Sequence, residues 1–152
     1  MHIGNYLGLV HQSEKDLANA FRTVADRHGD EVDIYQTCIL LASWSEKHIE
    51  HLTPIVKKYS ETRSKEPDRL KQAIFGKPRS GALALLRDLH DVYLLATEVN
   101  LCWIVLSQAS AGLKDKELME TCAKLSEETK RQLSWLLTRI REAAPQTLIV
   151  AD

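Results

Sequence analysis

Residues 45–52 read Ser45-Glu46-Lys47-His48-Ile49-Glu50-His51-Leu52. They belong to a longer stripe: Cys38, Leu41, Ser45, His48, Leu52, Ile55 and Tyr59. Steps of three and four are those of one helical face. Ser45 and His48, three residues apart, therefore stand one above the other on an apolar seam. Polar groups in such a place need partners.

Outward from this stretch, the sequence predicts four helices. The first carries Ile3, Leu7, Val10, Glu14, Leu17, Phe21, Val24 and His28 at 4-3 spacing, the seam of a helix packed in a bundle. Gly29-Asp30 is expected to end it. The second runs over about residues 31–59, with Pro54 removing one backbone donor. The third spans about residues 81–111, with Ser80 as N-cap and Gly112 as terminator. It is apolar nearly all round and so is expected to be the most buried of the four. The fourth spans about residues 115–144, with the seam Leu118, Cys122, Leu125, Thr129, Gln132, Leu136 and Ile140, and Pro145 as its stop.

Residues of about 60–80 are of another kind, rich in Ser, Lys, Glu and Arg with Pro67, Gly76 and Pro78. One apolar patch, Leu70, Ala73, Ile74 and Phe75, predicts a single short helix there. The basic residues Lys65, Arg69, Lys71, Lys77 and Arg79 read as a solvated loop rather than an anion patch. Short loop, long connection, short loop makes the fold class all-α, a four-helix bundle with a long crossover between helices 2 and 3. Residues 1–152 form one domain, closed by a tail of about residues 145–152 whose Leu148, Ile149 and Val150 need cover, on the bundle or on a second subunit.

Composition narrows the function classes. The 152 residues are 44% hydrophobic and 27% charged, with a net charge of -1, which gives no bias toward nucleic acid or an anionic membrane. The apolar third segment is interrupted by Arg87, Asp88, Asp91 and Glu98, as in a buried helix rather than a membrane span. The N-terminus lacks a signal-peptide pattern. Three separate cysteines, Cys38, Cys102 and Cys122, fit a reducing, cytoplasmic setting. No nucleophile motif with a supporting base, no P-loop and no G-x-G-x-x-G is present, so enzymatic activity has no positive support.

Two stretches carry a family resemblance. Ser45 to Leu52 resembles the metal-binding E-x-x-H-A-x-x-L stretch of ferritin-like proteins, with serine in place of glutamate and His48 on the histidine. Glu128 to Leu136 resembles the fourth-helix motif of the bacterioferritin and rubrerythrin-like group, with Thr129 on the glutamate and Gln132 on the histidine. Glu14 falls on the first-helix carboxylate. The resemblance implies a ferritin-like fold and, in an intact member, a di-iron or di-manganese centre. Such a centre needs about four carboxylates and two imidazoles converging in the core. Ser45, Thr129 and Gln132 are neutral, weak ligands, so an intact centre is not expected, and these three form a core polar cluster instead.

The expected function is therefore a cytoplasmic, dimeric bundle acting as a structural, interaction or ligand-binding protein, with no cofactor. A ligand would sit in a core cavity lined by Ser45, His48, Thr129 and Gln132. The alternative is a mononuclear iron or manganese site built from Glu14, His48 and Glu98 or Glu128, with an iron-handling or oxidative-stress role implied by the resemblance. In helix 3 either Glu98 or Trp103 can face the bundle centre, and Trp103 there would fill the space a metal would use. His51 is expected to face solvent. The Asp88-Leu89-His90-Asp91 run points its neighbours about 100° apart, so its aspartates are assigned to the helix dipole rather than to catalysis. Trp44, Tyr93 and Trp135 are assigned to packing.

Overall fold

Heptad-like stripes need partners, and the four helices supply them to one another. The computed structural model describes residues 2–60 and 77–150. Helix α1 is Ile3–Arg27, α2 Val32–Lys58, α3 Ala84–Leu113 and α4 Lys116–Pro145, and no strand occurs among the described residues. The expected short helix around Leu70–Phe75, and Lys65, Arg69 and Lys71, lie outside the described residues.

The stripes predicted for α1, α2 and α4 are the buried faces. Leu7, Val10, Glu14, Leu17, Phe21 and Val24 of α1 face Cys38, Leu41, Ser45, His48 and Leu52 of α2 and Leu118, Cys122, Leu125, Thr129, Gln132 and Leu136 of α4, all of them buried. Side-chain bonds fix the directions. His28, at the end of α1, meets Asp88 at the start of α3. Lys58 and Tyr59, at the end of α2, meet Asp115 at the start of α4. Arg139, late in α4, meets Glu31 just before α2. Each of these pairs is antiparallel, and the short turn between α1 and α2 packs those two side by side and reversed, so α2 and α3 run in the same direction.

The termini differ from the expectations in instructive ways. Ser80 does not cap α3, because Gly81 takes φ 88°, a left-handed conformation that a helix cannot accommodate, and the helix starts only at Ala84. Gly112 stays helical, and Lys114 takes the left-handed position at φ 55°. Pro145 does not stop the chain abruptly. It is the last residue of α4, and residues 146–150 add a π-helical turn. Proline's fixed φ suits a helix, and only one donor is lost. By contrast, Asp115 caps α4 as a helix N-terminus demands, accepting from the Leu118 N–H at 3.1 Å.

The expectation that α3 is the most buried helix is overturned. Leu94, Leu101, Ile104, Val105 and Leu113 are exposed, at 40–56% of their surface. A bundle helix is covered only where neighbours stand, and α1 and α4 leave the outer side of α3 open. By length and composition α3 is also the one described helix apolar enough to cross a membrane. The tail does not pack back on the bundle: Leu148, Ile149 and Val150 are 66%, 81% and 66% exposed. The three cysteines are free and buried. Burial pushes the thiols of Cys38 and Cys102 up to about 12 and that of Cys122 to about 11, so they behave as small apolar side chains.

Candidate functional site

The polar residues of the seams meet halfway along the bundle. His48 is fully buried and is bonded on both ring nitrogens. Nδ1 lies 2.9 Å from Glu14 Oε1, and Nε2 lies 3.1 Å from Glu128 Oε2. Glu14 is fully buried, whereas the Glu128 side chain is 29% exposed. The row thus runs from the dry centre of the bundle to its surface. Two acceptors, one on each nitrogen, require either a doubly protonated imidazolium or a neutral ring to which one carboxylic acid donates.

Beside this row lies a second set of bonds. The Gln132 amide donates to Ser45 Oγ and to the Leu41 carbonyl, both at 2.9 Å. The Trp103 indole N–H donates to Thr129 Oγ1 at 3.0 Å, and Thr129 donates to the Leu125 carbonyl. The Trp103 ring stands edge-on to His48, with centroids 6.5 Å apart. Helical spacing explains the assembly. Ser45 with His48, and Thr129 with Gln132, are i, i+3 pairs on facing helices, so four polar groups arrive at one level of the core.

Electrostatics tie the row together. Burial raises the Glu14 carboxyl above its ordinary range, against the opposing pull of His48 and Ser45. Burial also pulls the His48 imidazole down, but the hydrogen bonds and charges of Glu14 and Glu128 outweigh it and raise the ring. Both directions describe one proton held tightly within the row. At this level Ser13 Oγ, Glu14 Oε2 and Gln132 Oε1 are buried oxygens with no hydrogen-bond partner among the described residues.

The donors present do not fit a di-metal centre. Ser45, Thr129 and Gln132 are neutral, and they bond to one another and to Trp103 and the backbone. Glu14 and Glu128 approach opposite nitrogens of one ring, so they do not surround a common point. No group of three or more His, Cys, Asp or Glu side chains is arranged to hold an ion among the described residues. Of the two candidates on helix 3, Trp103 faces the centre and Glu98 is half-exposed. The negative charges of Glu98 and Glu14 both act on the buried Cys102 thiol, and of the two only Glu14 is bonded to His48. Trp44, Tyr93 and Trp135 pack at the core margin, and His51 is exposed.

A second charged cluster lies at the start of α3. Asp88 and Asp91, which the sequence assigns to the helix dipole, are buried and paired with cations. Arg79 donates to both, at 2.6 Å each, while His28 and Arg27 also reach Asp88. Arg79 is thus an anchor holding the chain before α3 onto α1 and α3, not part of an open basic loop. Spacing across 9 and 12 residues through a non-helical turn gave no periodic signal for it.

Fold and site together define an all-α four-helix bundle whose central level carries a hydrogen-bonded polar row. No protein family, curated protein or solved structure matches the chain.

Proposed function

We propose that this chain is a cytoplasmic bundle of ferritin-like type, with the connection between α2 and α3 as its long crossover, working as a structural and self-associating module rather than as a di-metal oxidase. One observation carries the reading. The positions that match the family's ligands are already engaged by protein groups: Glu14 with His48, Gln132 with Ser45, and Thr129 with Trp103. A polar core of this kind fixes helix register, because any slip would strand a buried group. The open apolar side of α3, with Leu101, Ile104 and Val105, supplies a surface for dimerisation.

The test is metal analysis of protein purified with iron or manganese in the medium. Two bound ions per chain would sink the proposal; sub-stoichiometric metal supports it. A second reading, a single ion held between Glu14 and His48, draws support from the buried Glu14 Oε2, which has no hydrogen-bond partner among the described residues. His48→Ala decides it, since bound metal must disappear with the imidazole if that reading holds.

A further inference from the structure

The polar row ends in a cleft. Trp44, Lys47 and His51 of α2 face Lys124, Glu128 and Arg131 of α4 across a hollow of about 350 Å³, with His48 in its floor. These two helices approach each other less closely than the other neighbouring pairs, which is why a hollow opens there. Its size falls within the range of small-molecule sites. The lining repeats by helical turns: Trp44, Lys47 and His51 on one side, and Lys124, Glu128 and Arg131 on the other.

The charge in this cleft is unbalanced. Among the described residues Lys47, Lys124 and Arg131 take part in no ion pair, although elsewhere on the surface Arg22, Lys58 and Lys130 all find carboxylates. The one carboxylate in the lining, Glu128, is engaged with His48. A chain with a net charge of -1 thus concentrates three cations and a single carboxylate around one concavity. Like charges brought together repel, and an anion between them relieves that cost. Arginine presents a planar fork suited to phosphate, lysine a mobile point charge, and the half-buried Trp44 ring a flat surface for stacking.

We infer that the α2–α4 cleft binds a small phosphorylated molecule carrying a flat ring, with Lys47, Lys124 and Arg131 on the phosphate and Trp44 against the ring. The exposed edge of Glu128 takes a hydrogen-bond donor of the same molecule. The site is separate from the sealed core level of Ser45, Thr129 and Gln132, and does not depend on whether the bundle is ferritin-like.

Calorimetry at low ionic strength with inorganic pyrophosphate and with adenosine monophosphate tests it on the full chain. K47A/R131A should weaken both ligands, by about tenfold for each lost charge-assisted contact. K15A/K116A, which removes the same charge outside the cleft, should leave both unchanged. W44A should weaken adenosine monophosphate severalfold and spare pyrophosphate. All three variants alter the surface or the core margin, and unchanged circular dichroism verifies the fold. Absence of saturable binding at millimolar ligand overturns the inference, as does an equal loss in K15A/K116A. Equal effects of W44A on the two ligands overturn the assignment of Trp44 to a ring.

Discussion

Replacing His48 by leucine and Glu14 by methionine, singly and together, measures whether the central row is one interacting unit. His48→Leu leaves the Glu14 carboxylate fully buried with only the Ser45 hydroxyl beside it. Removing one partner of a buried pair costs about 3–5 kcal/mol, because the other charge is left uncompensated. Glu14→Met is milder, since His48 keeps Glu128 and can become neutral, and about 1–3 kcal/mol is expected. The double variant leaves no buried charge, because Glu128 is partly exposed and can be hydrated. Apolar residues of similar volume in place of a buried pair are close to neutral, so the double variant should lie within about 1 kcal/mol of the parent.

For a chain of this size, 1 kcal/mol moves the melting temperature by about 2–4 °C. His48→Leu should therefore melt about 6–20 °C lower, and the double variant within about 4 °C of the parent. Calorimetric melting and denaturant titration of the four proteins close the cycle. The cost of His48→Leu should shrink in acid, where Glu14 takes up a proton and its burial no longer strands a charge. Single costs that simply add in the double variant would refute the reasoning, because independent residues show no coupling.

Three further outcomes follow from the same contacts. His48 is raised above its ordinary 6.5, so its stabilisation is complete below that pH and is lost as pH rises through the folded value; Glu14, raised above 4.5, has the same sign. Stability should accordingly fall as pH rises above the ordinary histidine value of 6.5 in denaturant titrations, with a smaller slope in the E14M/H48L protein, and a larger slope there would contradict the assignment. Trp103→Phe removes the indole donor to Thr129 and should cost about 1–2 kcal/mol in the same assay, while a neutral result would show that the bond is not formed. Arg79→Ala should cost about 1–3 kcal/mol, the anchor being 30% exposed, and D88N/D91N should recover part of it; no loss at all would remove Arg79 as an anchor.

The extent of the sequence reading is visible in single residues. Glu14, His48, Ser45, Thr129 and Gln132 were legible as core polar groups because each interrupts an apolar stripe of helical period, and all five are fully buried. The pairing between Gln132 and Ser45 was not legible, because spacing gives the face of a residue and not the partner opposite. Arg79 was lost for a related reason: a buried cation in a turn has no period to betray it. The α2–α4 cleft likewise draws Trp44 and Lys47 together with Lys124 and Arg131, residues about 80 positions apart in sequence that no local pattern connects.

The sequence by itself determined four helices, three with a striped face and the third apolar nearly all round, their polar interruptions and the short turns between the first and second and between the third and fourth, since these rest on local periodicity and chain-breaking chemistry. Only the tertiary structure decided the rest. It gave His48 to two carboxylates on opposite nitrogens, turned Trp103 rather than Glu98 inward, and left one side of α3 uncovered. Those outcomes depend on the rotation and separation of packed helices, and side-chain volumes at every level of the core set them together.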